Sequence, residues 1–341
     1  MSEYSNTVLL AALSELSEKS NFDMRAPEYG ATNLFNKYKR DVILNYDELV
    51  SIKKQSDLQT AYVDYLRRNT GSVGSARTHS LTGDIGDSTR DTLTFVTYQR
   101  EFTLSDGIAR NNVFKAAKLL QNQIVNARLD IGASIETAAV AALEAARNTV
   151  QGNRPSSGIG TWDGAANYVY EIANADSNNY YNYIRAAQAA LDYTGNHQEV
   201  HTVNLEALKW FQMAQGSANS ANMQYQYPDF DLNLSTTITN ASDYEGTSYV
   251  VPVASVGLVN WIPEKNREGL VHGIWDFSAI PDPFGIFDRL ALATYKTVAD
   301  GSTYGGDQDA QWIFEMSVDV AFFIPTITTQ KIVNKYALTT A

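Results

Sequence analysis

A chain of 341 residues, 44% hydrophobic and 19% charged, has the composition of a folded globular protein, with length for about two lobes at roughly 150 residues each. Its 26 basic and 38 acidic side chains leave a formal net charge of -12, which repels phosphate backbones at long range and disfavours sequence-reading of nucleic acid. With no cysteine, disulfides, thiolate nucleophiles and Cys-ligated metal sites are excluded.

Val8, Leu9, Ala12, Leu13 and Leu16 share one helical stripe with Glu15 and Glu18 opposite, which predicts an amphipathic helix over about 6–19. Glu3 precedes it and no basic residue does, so it is a poor signal peptide, and the protein is expected to be soluble and cytoplasmic where it is made. A polar, irregular stretch leads to Ser56-Asp57-Leu58-Gln59, a capping box predicted to open a helix carrying Leu58, Ala61, Tyr62, Tyr65 and Leu66 on one face. Residues 69–91 hold Gly71, Gly74, Gly83 and Gly86 among Ser, Thr and Asp and cannot bury themselves. Thr92 to Leu104, rich in Thr, Val, Phe and Tyr, reads as a strand or hairpin arm, so the two together describe a long projecting β-loop.

Val113, Ala117, Leu120, Ile124 and Ala127 recur at helical spacing, and after an expected break near Gly132 the stripe resumes with Ile135, Ala139, Leu143 and Ala146. About 39 residues at ~1.5 Å each would make a rod of roughly 58 Å. The apolar stretch from Ala133 to Val150 is interrupted by Glu136, Glu144 and Arg147, and no run reaches the ~18 apolar residues of a membrane span. Asn153 to Gly164, rich in Gly, Ser and Pro, is the candidate lobe boundary. Beyond it, Ser177 is predicted to cap a helix to about Tyr193, Glu199 to Val203 to form a strand, and Asn204 to cap a helix from Leu205 to Gln215, an α/β arrangement. From Tyr227 β-branched residues dominate, with turns at Asp243–Gly246, Glu264–Gly269 and Gly301–Asp307, and Phe284–Ala299 with Gln311–Thr329 reads as a long antiparallel pair.

The chemistry-bearing motifs are incomplete. His197-Gln198-Glu199-Val200-His201 has the i,i+4 histidines of a zinc helix, but Glu199 is central rather than beside either histidine, and the flanking Val200, Thr202 and Val203 favour a strand. The pair reads as a surface pair. Ser156-Ser157-Gly158-Ile159-Gly160 lacks the nucleophile-elbow pattern and the third glycine of a dinucleotide fingerprint. Glu101 with Asp106, or Asp229 with Asp231, would be an acid and base pair only with a geometry the sequence does not supply. Asp282, Asp288, Asp300, Asp307 and Asp309 do not fit a calcium loop. No catalytic, cofactor-binding or metal-binding residue is assigned, and no cofactor is expected. Aromatic surface is abundant instead: Tyr 20, Phe 13 and Trp 5, with Tyr180-Tyr181-Asn182-Tyr183 and Tyr225-Gln226-Tyr227. Such clusters suit subunit contacts, carbohydrate stacking or a tyrosine-rich core, and composition does not choose among them.

The order of these parts resembles the HK97-like fold of tailed-bacteriophage major capsid proteins. The most specific stretch is Glu199-Val200-His201-Thr202-Val203-Asn204-Leu205-Glu206-Ala207-Leu208, similar to that family's strand, asparagine and helix in the A-domain. Glu101-Phe102-Thr103-Leu104-Ser105 ahead of the long helix and Phe314 to Pro325 as a late P-domain strand are also similar, while a Gly-x-Pro-Val element is not evident around Tyr227 to Ser235. The resemblance implies an α+β fold divided as N-terminal arm 1–65, extended loop (E-loop) 66–104, spine helix and start of the P-domain 105–152, A-domain 153–270, and closing P-domain strands with the C-terminus 271–341. It implies a non-enzymatic shell protein of the virion, assembled in the host cytoplasm, that pairs with itself in hexamers and pentamers, meets a portal and possibly cement or scaffolding proteins, and encloses DNA without reading it or touching a membrane. No scaffolding segment is expected to have been removed ahead of Met1. Residues 69–104 would lie over one neighbour and 1–45 beneath another, so deleting either is expected to abolish particles while leaving about 105–341 folded. Lys115 and Lys118 follow the loop rather than sit on it, which speaks against a lysine-asparagine cross-link there. A carbohydrate-binding surface module and an encapsulin-like nanocompartment shell are the alternatives.

Overall fold

Residues 28–53, 60–66, 88–105, 113–155, 158–165, 167–208, 230–262, 276–282, 286–287, 289–296, 311–325 and 331–340 are described by the structure, a computed structural model. Three short helices, α1 (Gly30–Lys37), α2 (Lys39–Val42) and α3 (Tyr46–Lys53), come first. Strands β1 (Thr60–Leu66), β2 (Ser88–Thr94) and β3 (Val96–Ser105) precede the long helix α4 (Val113–Ala145). Then come β4 (Thr161–Asp163), β5 (Val169–Ile172), a 3-10 turn (Asn174–Asn179), α5 (Tyr180–Ala189), β6 (His197–His201) and a short helix at 203–208. Among the described residues the remaining elements are strands: β7 (Phe230–Leu234), β8 (Tyr244–Pro252), β9 (Gly257–Trp261), β10 (Asp276–Pro281), β11 (Arg289–Lys296), β12 (Gln311–Phe323) and β13 (Asn334–Thr339). The fold is α+β.

The strands make two principal sheets. In the five-stranded sheet the path is β10-β11-β12-β3, all antiparallel, and β9 pairs with the far end of β12, so that Asp319 and Val320 are paired on both sides. The expected pairing of the two late segments is therefore present as β11 with β12, Ala291 opposite Ser317 through Lys296 opposite Trp312. The six-stranded sheet runs β4-β5-β13-β8-β6-β7, with β13 parallel to β5 and β6 parallel to β7. The sheets do not divide at residue 270: β9 joins β12, and β13, from the last residues, lies between β5 and β8.

Between the sheets lies α4. Leu120, Ile124, Ala127, Ile131, Ile135, Ala139 and Leu143 are all buried at three- and four-residue spacing, so one stripe faces the core from Leu120 to Leu143. They meet alternate residues of the five-stranded sheet, Phe102 and Leu104 of β3 and Phe314, Met316, Val318 and Val320 of β12. Phe102 and Phe314 are direct cross-strand partners with rings stacked at 5.1 Å. Each fully buried Leu, Ile or Phe in this layer contributes roughly 1.5–3 kcal/mol of transfer free energy.

Several expectations are corrected. The helix does not break at Gly132; its 33 residues are continuous, about 50 Å at ~1.5 Å each. Gly132 is there for room, because a Cβ would lie 2.6 Å from Arg128 Nη1 and 2.8 Å from the Tyr29 ring. The helix predicted from Ser56 is strand β1 over its described part: Ala61, Val63 and Tyr65 are buried while Tyr62 is exposed, a period of two, and a Thr/Tyr/Val-rich run suits a pleated surface. The irregular stretch ahead of it holds α1, α2 and α3. Ser177 lies inside the 3-10 turn rather than at a helix start, and α5 begins three residues later. Asn204 is not the cap of its helix, which begins at 203: the Thr202 carbonyl accepts the first bonds, from Leu205 and Glu206, and the Asn204 amide donates to the Glu245 carbonyl instead. Tyr244 to Gly246, expected as a turn, already belong to β8. The segment 6–19, the turns at 264–269 and 301–307, and Tyr225 and Tyr227 lie outside the described residues.

Candidate functional site

Two places concentrate polar chemistry: the grip of residues 28–37 on α4, and the root of the β1/β2 hairpin. At the first, Glu136, fully buried on α4, stands at the start of α1. Its Oε1 accepts from the Ala31 N–H at 2.9 Å and the Ser235 hydroxyl at 2.6 Å, and its Oε2 accepts from the Thr32 N–H at 2.8 Å and the Thr32 hydroxyl at 2.7 Å. A carboxylate from another helix thus caps α1, satisfying N–H groups that have no partner within the helix. Two turns earlier Arg128 forks onto Asp282, Nε to Oδ1 at 2.6 Å and Nη2 to Oδ2 at 3.0 Å, with both side chains at 0% exposure. Asp282 Oδ2 also accepts from the N–H groups of Ile286 and Phe287, and the guanidinium faces the Phe287 ring at 5.2 Å.

The segment ahead of α1 is stitched in the same way. Tyr29 bridges to Ser235 and its hydroxyl donates to the Leu129 carbonyl; Lys37 pairs with Asp231 at 2.5 Å. A Cβ on Gly30 would sit 2.2 Å from the Leu234 carbonyl oxygen, so only glycine lets α1 begin against β7. Ala31, Leu34 and Phe35 have no exposed surface. Residues 29–45 thus pack on their own chain through Tyr29, Ala31, Leu34, Phe35, Val42 and Ile43, with Arg40, Asp41 and Leu44 left exposed, and β3 is likewise part of the core. Deleting either would orphan Glu136 or strip the stripe of α4, so 105–341 would not stay folded.

At the second place, β1 and β2 pair antiparallel from Thr60 opposite Thr94 to Leu66 opposite Ser88. Their inner face, Ala61, Val63, Tyr65 and Leu93, packs with Val42, Ile43, Tyr46 and Leu49 of the α2–α3 corner and with Trp261 and Phe323. Asn45 ties that corner to β1, its amide donating to the Tyr62 carbonyl and its Oδ1 accepting from the Asp64 N–H. The outer face carries Tyr62, 60% exposed, beside the cross-strand pair Asp64 and Arg90, bonded at 2.7 and 3.0 Å. The Arg90 hydrogen bond holds the Asp64 carboxyl below its ordinary pKa. Leu44 and Val96 are also exposed, at 59% and 53%, and a cleft of about 630 Å³ lies between the hairpin and the corner, lined by Arg40, Leu44, Asp47, Glu48, Asp64 and Arg90 among others.

The motifs singled out in the sequence do not converge. His197 and His201 lie on β6 as expected for a strand, but the surface pair is corrected: both are buried, because β6 is an inner strand between β7 and β8. His201 Nε2 is 2.7 Å from Glu206 Oε2, and the His197 ring stacks on Phe230. Asp231 holds Lys37 and Asp282 holds Arg128, while Asp106, Asp229, Asp288, Asp300, Asp307, Asp309, Ser156 and Ser157 lie outside the described residues. Among the described residues no group of three His, Asp or Glu could hold a metal ion. No described helix is long and apolar enough to cross a membrane. Tyr180 and Tyr181 are fully buried, packed edge to face against each other, so this cluster is core and neither a stacking platform for carbohydrate nor a subunit contact. Glu136, Arg128 and Arg90 escaped the sequence reading. The available signal for the first two was a charge directly following a stripe residue, Ile135 or Ala127; nothing local marks Arg90.

No protein-family model matches the chain, and no curated protein matches it in sequence. Among solved structures, the fold is similar to that of Mycobacterium phage Che8, at 9% identity over 93% of each chain with a TM-score of 0.48. It is similar to Microbacterium phage Oxtober96, at 10% identity over 94% of each chain with a TM-score of 0.48. It is also similar to the capsid structure of the cyanophage P-SCSP1u, at 10% identity over 84% of this chain and 85% of that one with a TM-score of 0.44.

Proposed function

We propose that this chain is the major capsid protein of a tailed phage, a structural protein without catalysis that self-assembles into the icosahedral head around double-stranded DNA. The observation that carries the reading is the β1/β2 hairpin. It is a two-stranded sheet of its own, locked by an apolar cluster, ahead of β3 and the long helix in the chain; residues 67–87 connect its strands, and Tyr62 turns outward. A root packed on its own chain below a connection of this length is what a subunit needs to reach across a neighbour. The part of residues 69–104 ahead of β3 then serves as the E-loop over an adjacent copy, with β3 itself in the core of its own chain, the copies forming hexamers and pentamers that meet a portal and, in some shells, cement or scaffolding proteins. The division into arm, E-loop, spine, A-domain and P-domain belongs to the same reading, with residues 29–45 assigned to the core. A net charge of -12 suits a container that encloses DNA without gripping it.

Size-exclusion chromatography with light scattering, followed by negative-stain imaging, tests this. Closed megadalton shells are expected from the purified chain, alone or with its scaffold, and the size and cargo of the shells separate a phage head from a nanocompartment. A chain that stays monomeric under assembly conditions overturns the reading.

A further inference from the structure

Among the described residues two arginines are buried to the guanidinium, and only one of them faces a carboxylate. Arg128 is forked onto Asp282. Arg154, 3% exposed on the loop between α4 and β4, faces no carboxylate among the described residues. Its Nη2 donates to the Val150 carbonyl at 3.0 Å and to Asn334 Oδ1 at 3.2 Å, while Nε and Nη1, both buried, have no acceptor among the described residues. The guanidinium lies over the Trp162 ring at 4.4 Å, with Tyr170 at 5.9 Å. The titratable groups around it are the hydroxyls of Tyr336, Tyr170 and Tyr193, and burial pushes its pKa below the ordinary arginine value. A guanidinium remains protonated in proteins, so burying it costs free energy that a ring face and two neutral acceptors offset only in part.

We propose that Arg154 is the cationic wall of a small-anion site that takes one monovalent ion of halide size at the donors the protein leaves unused. Size follows from burial. Nε and Nη1 have no solvent-facing surface, so an ion reaches them only with a shift of the surrounding chain, and a single-atom halide needs a smaller shift than a tetrahedral oxyanion. The covering loop can supply that shift because residues 149, 150, 152 and 153 are exposed. The ion restores at Arg154 the charge balance that Asp282 gives Arg128, fixing the path from α4 into β4.

Crystals of the full chain grown in bromide test the placement: an anomalous peak within hydrogen-bonding reach of Arg154 Nε or Nη1 is expected, and none there overturns the proposal. In solution, replacing chloride by gluconate at constant ionic strength is expected to lower the wild-type Tm by about 2–4 °C and to leave Arg154→Met unmoved. An unchanged wild type, or an equal shift in Arg154→Met, overturns it. If Arg154→Met does not fold, the bromide position in the wild-type protein decides alone.

Discussion

Glu136 holds Thr32 twice, through the backbone N–H at 2.8 Å and through the hydroxyl at 2.7 Å, although 104 residues separate them in sequence. The contact fixes α1 to the middle of α4 with a charge that no water reaches. Glu136→Gln keeps the volume but turns an NH2 group toward donors, so two of the four bonds are lost and their donors stay buried. The expected loss is about 2–4 kcal/mol in chemical denaturation. A variant within ~0.5 kcal/mol of wild type would show that α1 is held by its apolar face alone.

Arg128 and Asp282 are a harder case, because a buried ion pair need not stabilise relative to an apolar pair. Removing one partner is different. Arg128→Met takes from Asp282, at 0% side-chain exposure, the guanidinium that balances it, and about 3–5 kcal/mol should be lost. The double variant Arg128→Met/Asp282→Leu removes both charges but orphans the N–H groups of Ile286 and Phe287. It should therefore fall between wild type and the single variant. A double variant less stable than Arg128→Met would rule out an unpaired carboxylate as the cause.

Much of the architecture could be read from periodicity. The stripe from Ala117 to Leu143 repeats strongly enough to define α4, and the β-rich run before it defines β3. Where reading failed, local signals competed with long-range ones. The capping-box letters at Ser56 to Gln59 are a four-residue pattern, whereas the strand after them is selected by Val42, Tyr46 and Trp261 packing on Ala61, Val63 and Tyr65. Gly132 looked like a helix breaker because the tyrosine that needs its space is Tyr29, far away in sequence. The buried pairs of Glu136 and Arg128 could not be read for the same reason: their partners come from segments that meet only in the folded chain.

Alkaline pH should unfold the six-stranded sheet through its tyrosines. Burial raises the phenol pKa of Tyr180, Tyr249 and Tyr336 above the ordinary value, and Tyr249 is raised further by donating to Glu144 Oε2 at 2.5 Å. A raised folded-state pKa means that the native state holds the proton more tightly, so this stability is fully present below the unfolded pKa of about 10 and is lost as pH rises above it. Denaturation midpoints should fall steadily from about pH 10 upward, with phenolate absorbance appearing together with unfolding. Tyr249→Phe should be less stable at neutral pH by about 1 kcal/mol and show a shallower alkaline slope. Phenolate absorbance preceding loss of structure would mean that these hydroxyls titrate in the native state, against their burial.

The hairpin root allows folding and assembly to be separated, because the two faces of one strand do different work. Val63 points into the cluster with Ile43 and Trp261, and Tyr62, its neighbour, points out. Val63→Ser should lower stability of the isolated chain by about 1–3 kcal/mol, combining lost transfer free energy with a buried hydroxyl. Tyr62→Ser with Leu44→Ser alters only exposed side chains, so stability should stay within about 0.5 kcal/mol of wild type. If these exposed side chains make a subunit contact, this double variant should instead lose most of its particle yield, since an exposed aromatic is the kind of anchor that interfaces concentrate their energy on. Normal particles from Tyr62→Ser/Leu44→Ser, measured beside an unchanged denaturation midpoint, would remove these side chains from the assembly contacts and leave the connecting segment 67–87 to make them.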